Sequence, residues 1–187
     1  MDSPADMMSA IAASMKERTG RTLDEWVDLV AASGLDPLDQ KAVRAWLRDT
    51  HGVKQNSQWT IADAAARAAG WVEPTTAEYV DSQYTGRKAS LRPVYDRVEV
   101  LALGLGEDVR VEGRSTYVPF VRGRQFAAVQ ALTTHVVLGL RFTDAPASDR
   151  LTPGGPGQST HKLSLAGTDE VDGEVEALLR AAYEQNA

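Results

Sequence analysis

The sequence predicts an α+β protein, in which an N-terminal four-helix module is followed by a C-terminal antiparallel sheet of about four strands covered by helices. Hydrophobic residues recur at helical spacing in the first part of the chain, and beyond Gly106 they alternate with polar residues at the spacing of a strand. All four tryptophans precede residue 72, whereas all five tyrosines and all three phenylalanines follow it. This division of the aromatic residues indicates two separate cores.

The N-terminal module carries start and stop signals for four short helices. The dipeptide Ser3-Pro4 predicts the start of the first helix, whose apolar face contains Met8, Ile11, Ala12 and Met15. Thr22 and Glu25 have the spacing of a capping box, which predicts the start of the second. Asp36-Pro37 predicts the start of the third, and residues 57–69 form an alanine-rich fourth. We expect Trp26 and Trp46 to meet in the core of this module.

The boundary between the modules is predicted just after Trp71. The helical pattern stops there at Pro74, followed by two threonines, and a residue before proline is disfavoured in a helix. The sequence therefore predicts two domains, residues 1–72 and residues 73–187.

The C-terminal module begins with helix signals at the capping box Thr75 and Glu78 and at Ser90. Apolar and polar residues then alternate from Val109 onward, and strands are predicted at 116–122, 125–132, 135–142 and 160–166. The segment 143–158 is rich in Pro, Gly, Asp and Ser, which predicts a long loop. A closing helix has its apolar face at Val171, Val175, Leu178, Leu179, Ala182 and Tyr183.

Composition excludes several classes of protein. The chain of 187 residues has no cysteine, which excludes disulfides, thiolate zinc sites and cysteine nucleophiles. Its N-terminus is acidic where a signal peptide is basic, and it has no run of eighteen apolar residues, so we predict a cytoplasmic protein that does not span a membrane. Its net charge of -6 argues against general affinity for nucleic acids, because such affinity comes mainly from Lys and Arg.

Two groups of residues resemble known bacterial families. Residues 7–70 resemble the domain-of-unknown-function family numbered 4287 in Lys16-Glu17-Arg18-Thr19-Gly20-Arg21-Thr22, Trp26, Gly34 and Ala45-Trp46-Leu47. The C-terminal module resembles family 5655 in Gly86-Arg87-Lys88-Ala89, Leu91-Arg92-Pro93, Tyr117-Val118, Arg124-Gln125-Phe126-Ala127, Leu138-Gly139-Leu140, Thr160-His161 and Leu179-Arg180-Ala181-Ala182-Tyr183. Its order of elements is also similar to that of a small α+β family called iron chaperones. These resemblances imply membership but no assigned chemistry.

The predicted sheet has an unusual excess of arginine. Between Val109 and Phe142 the single acid is Glu112, against five arginines: Arg110, Arg114, Arg122, Arg124 and Arg141. Guanidinium groups bind carboxylates and phosphates at two points, so this excess predicts an anion site. Gly139 has no side chain, so a ligand or a neighbouring segment can approach the strand backbone closely there. The alternative interpretation is that the arginines keep the sheet soluble and pair with acids of the helices.

The histidines give no metal-binding pattern, and we predict neither a metal site nor a cofactor. None of His51, His135 and His161 has the short helical spacing of a zinc motif. His51 lies at a predicted helix end and is assigned to capping. His161 shares a strand face with leucines, whereas His135 shares the less apolar face of its own strand with Val137, Gly139 and Arg141. No serine-nucleophile elbow and no phosphate-binding glycine loop is present.

Lys41, Arg44 and Arg48 form a basic stripe on the third predicted helix, as a DNA-reading helix would. Residues 1–72 nevertheless hold 8 basic and 10 acidic side chains, so the favoured interpretation is a solvated helix face.

The function predicted from the sequence is that of a non-catalytic binding protein whose sheet module binds an anionic small molecule or an acidic partner. The predicted ligand-binding residues are Tyr117, Arg122, Arg124, His135, Arg141 and His161. One alternative is an enzyme that uses His135, His161 and Tyr117 in a cleft of the same sheet. The other is a weak nucleic-acid adaptor, although nucleic acid is the less favoured partner.

Overall fold

The computed structural model describes residues 13–186, and the chain divides into two compact units, Met1–Glu73 and Pro74–Ala187. The first unit is helical and the second contains an antiparallel sheet with helices, which confirms the predicted α+β class. The predicted helix start at Ser3-Pro4 and the apolar positions Met8, Ile11 and Ala12 lie outside the described residues. Within residues 13–186, no helix has both the length and the apolar character needed to cross a bilayer.

The helical unit contains α1 Met15–Thr19, α2 Leu23–Ala32, α3 Gln40–His51 and α4 Gln55–Ala68. Helix α2 begins with the predicted capping box, in which the Thr22 hydroxyl accepts from the Glu25 backbone N–H and the Glu25 carboxylate accepts from the Thr22 backbone N–H. Helix α3 begins later than predicted. Asp36 accepts from the Leu38 backbone N–H in a local turn, and Asp39 instead caps the helix by accepting from Ala42.

The core of the helical unit is built around Trp26, which is 3% exposed. Its indole Nε1–H donates to the Thr19 hydroxyl at 2.7 Å. Trp46 is half-buried, and both indole rings pack edge-on against His51, with centroid distances of 5.3 and 4.5 Å. The rest of this core consists of Met15, Val30, Val43, Leu47, Val53, Ile61, Ala62 and Ala65. His51 therefore links the two tryptophans that were predicted to meet.

The sheet unit contains α5 Thr76–Gln83, a 3-10 helix Gly86–Leu91, α6 Arg92–Leu103, β1 Arg110–Val111, β2 Val118–Arg122, β3 Arg124–Ala131, β4 Val136–Leu140, β5 Thr152–Pro153, β6 His161–Leu165, a 3-10 helix Thr168–Glu170 and α7 Gly173–Glu184. The predicted start at Ser90 was wrong, because the 3-10 helix precedes α6 there. All neighbouring strands are antiparallel, in the order β1-β2-β3-β4-β6-β5. The sheet thus has six strands rather than about four, and its two edge strands are only two residues long.

Helices α6 and α7 cover one face of the sheet. In register across four strands, Val118, Val129, Leu138 and Leu163 point to this face and belong to the core. From the helices, Val94, Tyr95, Val98, Ala102, Val175, Leu178, Leu179 and Ala182 belong to the same core. Burial of this apolar area stabilises the unit by about 25 cal/mol per Å².

The loop between β4 and β6 is held in place by hydrogen bonds and an ion pair to residues at both ends of α7. Arg150 donates to Asp172 at 2.9 Å, and its other Nη donates to the Glu170 carbonyl at 2.8 Å. The Gln185 side-chain oxygen accepts from the backbone N–H groups of Thr143 and Asp144. The long loop predicted over 143–158 therefore contains a short strand and is fixed to α7 and its C-terminal end.

The last part of this loop folds across the strand position of Gly139. A Cβ atom at Gly139 would lie 2.3 Å from Ser159 Oγ and 2.7 Å from Pro156 Cδ. The amide of Gln125 donates to the Pro156 carbonyl at 3.1 Å and to Ser159 Oγ at 3.2 Å. The glycine thus makes room for the protein's own loop.

Candidate functional site

Four of the six predicted ligand-binding residues lie at one end of the sheet. Arg122 ends β2 and pairs with Arg124, which begins β3. Arg141 follows β4, whose last residue, Leu140, pairs with His161 at the start of β6. Because neighbouring strands are antiparallel, the end of one strand and the start of the next lie at the same end of the sheet. The arginine excess is therefore partly concentrated in space.

Arg122 makes an ion pair and an aromatic contact with other residues of the sheet unit. Its Nε donates to Asp108 at 2.7 Å, and its guanidinium carbon lies 4.1 Å from the ring centroid of Tyr183. The Tyr183 hydroxyl donates to the other Asp108 oxygen at 2.7 Å. The hydrogen bond from Tyr183, followed by that from Arg122, holds the pKa of Asp108 below its ordinary value, and the bond to Asp108 raises the pKa of Tyr183. Asp108 therefore offsets the charge of Arg122.

The other three predicted residues at this end differ in their contacts. Arg141 donates to the side-chain oxygen of Gln158, a neutral partner. The ring of His161 lies 5.9 Å from that of Phe142, and its Nδ1 is 3.1 Å from the Thr160 hydroxyl. Arg124 is exposed and makes no ion pair among the described residues. Arg124 and Arg141 are thus the cations here without a carboxylate partner in residues 13–186.

Of the remaining two predicted residues, His135 lies at the other end of the sheet and Tyr117 contacts the loop that follows β4. His135 precedes β4 at the opposite end from His161, and five residues of strand separate them by roughly 17 Å. Its Nδ1 is 3.2 Å from the Thr134 hydroxyl. The Tyr117 ring lies against Gly157 in the loop, where an added Cβ would be 2.9 Å from its Cε2. The structure does not bring His135, His161 and Tyr117 into one cleft.

Replacing Asp108 by Asn should weaken the acid dependence of stability. A carboxyl with a lowered folded-state pKa stabilises the protein above its unfolded pKa, and this contribution is lost as pH falls through the folded pKa. We expect a smaller loss of melting temperature between neutral and strongly acidic pH in Asp108→Asn than in the wild type. Thermal unfolding at a series of pH values measures this.

The control for this measurement is Asp149→Asn, since Asp149 is exposed and makes no hydrogen bond among the described residues. An acid dependence that changes equally in both variants would contradict the role given to the Asp108 carboxylate.

A second basic feature lies between α3 and α4 of the helical unit, in a groove of about 480 Å³. Its lining is Lys41, Arg44, Ala45, Arg48, Gln55, Gln58 and Trp59, and we call it the basic groove. The three cations occur at helical spacings of three and four along α3 and so share one face. None of these described lining residues is acidic.

Arg44 and Trp59 form the centre of the basic groove. The Arg44 guanidinium carbon lies 3.5 Å from the ring centroid of Trp59, a close cation–π contact. Arg44 Nε donates to the Gln40 carbonyl at 3.1 Å, whereas its buried Nη1 has no hydrogen-bond partner among the described residues. Trp59 remains 49% exposed. A buried donor without a partner is costly, and the exposed part of the indole leaves apolar ring area in the groove open to a ligand.

The charges of the basic groove are only partly offset. Arg48 makes a two-point ion pair with Asp49, and the hydrogen bond from Arg48 lowers the pKa of that carboxyl. Lys41 and Arg44 make no ion pair within residues 13–186. A neighbouring cavity of about 490 Å³ shares Gln55 with the groove and is lined by Arg18, Thr19, Lys54, Gln55, Asn56 and Ser57. Five cations thus surround two adjoining cavities.

The sequence showed the basic stripe but not the groove. Spacing placed Lys41, Arg44 and Arg48 on one face, yet Trp59 lies on the next helix, and the stacking on Arg44 depends on how α3 and α4 pack. Among residues 13–186 no group of three or more His, Asp or Glu side chains is arranged to hold a metal ion.

Comparison with protein families gives two matches. The model of the family described as Domain of unknown function (DUF5655) matches residues 80–186. The model of the family described as Domain of unknown function (DUF4287) matches residues 8–56, a range that includes the three cations of the basic groove. Both predicted resemblances are thereby confirmed. No curated protein and no solved structure has significant similarity to the chain.

Proposed function

Because the chain belongs to the family described as Domain of unknown function (DUF5655), a membership that assigns no chemistry, we propose from local geometry that it is a non-catalytic binding protein for anionic ligands. The observation that carries the proposal is the basic groove, which places Lys41, Arg44 and Arg48 around one cavity without an acidic residue in its described lining. The ligand class is the one predicted from the sequence, an anion, but we propose that it binds to the helical unit instead of the sheet unit.

Charge repulsion favours anion binding in the basic groove. Lys41 and Arg44 make no ion pair within residues 13–186 and repel one another on one face of α3, and a bound anion relieves this repulsion and adds charge-assisted hydrogen bonds. This local excess stands out against the overall charge of -6, so it acts on a ligand at short range rather than through the field of the whole protein.

The sheet end is the second candidate for anion binding. It is favoured by Arg124 and Arg141, which lie at the same end of the sheet and lack a carboxylate partner among the described residues. Arg122 pairs with Asp108 there, as Arg48 pairs with Asp49 in the basic groove. We rank the sheet end second because Lys41 and Arg44 line one cavity together with the exposed Trp59. An enzyme using His135, His161 and Tyr117 is not favoured by any geometric observation.

Pyrophosphate should raise the melting temperature of the helical unit more than chloride at equal ionic strength. A ligand at 100 times its Kd stabilises by about 2.7 kcal/mol, and each kcal/mol shifts the melting temperature by about 4 to 8 °C in a small domain. Tryptophan fluorescence reports this unit, since all four tryptophans precede residue 72. Arg44→Gln or Lys41→Gln should remove most of the specific shift.

Arg67→Gln is the matched control, because Arg67 also stacks on a tryptophan, Trp71, but is paired with Asp63 and Glu73. It should keep the full pyrophosphate effect. If pyrophosphate instead raises the melting temperature of the sheet unit, followed by its near-ultraviolet tyrosine signal, and Arg124→Gln or Arg141→Gln removes that effect, the sheet end is the site. Equal melting temperatures of both units in pyrophosphate and chloride would overturn both assignments.

A further inference from the structure

We infer that the ligand of the basic groove is single-stranded nucleic acid, with one base stacked on Trp59 and neighbouring phosphates held by the surrounding cations. This inference rests on the proposed anion-binding function and names the class of its ligand. Proteins that bind single strands combine a basic groove that follows the backbone with aromatic side chains on which bases stack. Both features meet here, in Lys41 and Arg44 beside an exposed Trp59.

The exposure of Trp59 indicates a planar ligand rather than phosphate alone. About half of this large aromatic side chain is exposed, although its ring already carries the Arg44 guanidinium 3.5 Å from its centroid. Because Arg44 occupies one face of the ring, a base stacked on the other face would cover apolar area of the indole. A simple inorganic anion would use the cations and leave the indole exposed.

The extent of the basic surface indicates more than one phosphate. Lys41 and Arg48 lie seven residues apart on α3, or about 10 Å along its axis. Gln55 joins the basic groove to the cavity that contains Arg18 and Lys54. A ligand with a base between successive phosphates can place its phosphates on both sides of Trp59, near cations of the two cavities.

A single strand fits these observations better than a duplex. In a duplex the bases are already stacked and paired, so an exposed indole gains no base to stack on. Duplex affinity also rises with the number of phosphates neutralised, and the helical unit has 8 basic against 10 acidic side chains in residues 1–72. The low overall charge argues against general affinity for nucleic acids, whereas a compact stacking site needs only the local cations.

Fluorescence anisotropy with labelled oligonucleotides of about ten bases tests the inference on the full chain. We expect oligo-dT or oligo-U to bind more tightly than the corresponding duplex and more tightly than inorganic polyphosphate of matched charge. Trp59→Ala should weaken oligonucleotide binding about 5- to 150-fold, the effect of losing one stacked base. It should lower affinity for the oligonucleotide by a larger factor than affinity for pyrophosphate, because the cations that contact phosphate remain.

Two further variants keep the result interpretable. Trp59→Phe retains an aromatic ring and should restore most of the affinity, and Trp71→Ala removes the tryptophan that stacks on the neutralised Arg67 and should have no effect. Lys41→Gln should lower the slope of log K against log salt by about 0.7, the value for one phosphate contact on a single strand. Circular dichroism checks that each variant is folded.

The outcomes separate the two proposals. If pyrophosphate stabilises the protein but Trp59→Ala binds oligonucleotides as well as the wild type, the groove is an anion site and the stacking inference is wrong. Equal affinity for duplex and single strand would also overturn it. If neither pyrophosphate nor an oligonucleotide binds, the proposed function itself is wrong. Comparing oligo-dT with oligo-U shows whether DNA or RNA is preferred.

Discussion

Trp26→Ala should lower the free energy of unfolding of the helical unit by about 3 to 5 kcal/mol, the usual range for truncating a buried aromatic residue. The indole is 3% exposed, and its removal leaves a cavity between α1, α2 and α3, where it contacts Thr19 and His51. The Thr19 hydroxyl also loses the donor that reaches it at 2.7 Å. Urea unfolding followed by far-ultraviolet circular dichroism gives the change.

The exposed Trp59 supplies the control. Trp59→Ala removes the same side chain from a position that is 49% exposed, so we expect a loss below about 1 kcal/mol, in line with surface substitutions. A loss below about 1 kcal/mol for Trp26→Ala would mean that α1 and α2 do not enclose this side chain.

Gly139→Ala should destabilise the sheet unit by about 1 to 3 kcal/mol, because it forces an extra methyl group into a filled space. The new Cβ would lie 2.3 Å from Ser159 Oγ and 2.7 Å from Pro156 Cδ, so the loop would have to move. That movement would disturb the bonds from Gln125 to Pro156 and Ser159. Thermal unfolding followed by the near-ultraviolet tyrosine signal measures the effect in this unit.

Gly173→Ala is the matched substitution, since a Cβ at Gly173 would meet no atom within 4 Å. Gly173 is the first residue of α7, where alanine is at least as favourable as glycine, so stability should stay equal or rise slightly. If Gly139→Ala is as well tolerated as Gly173→Ala, the loop does not pack on the sheet as described.

Features set by near neighbours in the chain were predictable. Both capping boxes, Thr22 with Glu25 and Thr75 with Glu78, form as predicted because their bonds join residues three apart. The turn at Gly123, with a φ of 63°, joins β2 and β3 and lies between the strands predicted at 116–122 and 125–132. Local chemistry decides these elements regardless of the rest of the fold.

Features set by distant partners were not predictable. Strand β5 is Thr152–Pro153, a pair without strand character of its own, and it exists because it pairs with Lys162 and His161. The partner of Arg122 is Asp108, one residue outside the segment in which the arginine excess was counted. Tyr183 completes that contact from 61 residues further along the chain than Arg122. A count of charged residues within one segment of the sequence does not reveal pairs formed with residues outside it.

The candidate sites show the same division. Four of the predicted ligand residues share one sheet end, which follows from antiparallel order, but their free charge depends on which acids α6, α7 and the loops bring near. In the helical unit, the spacing of Lys41, Arg44 and Arg48 was visible in the sequence, whereas the position of Trp59 against Arg44 depends on packing between two helices.

The place of α7 in the chain bears on how the protein folds as the ribosome makes it. Val175, Leu178, Leu179 and Ala182 follow every strand in the sequence, yet they belong to the core that covers the sheet. During synthesis the strands therefore emerge when only α6 is available to cover their apolar face, and the part that α7 covers stays exposed until that helix is made, whereas the elements of the helical unit are complete long before. The nascent sheet is the part of this chain that a chaperone would need to shield.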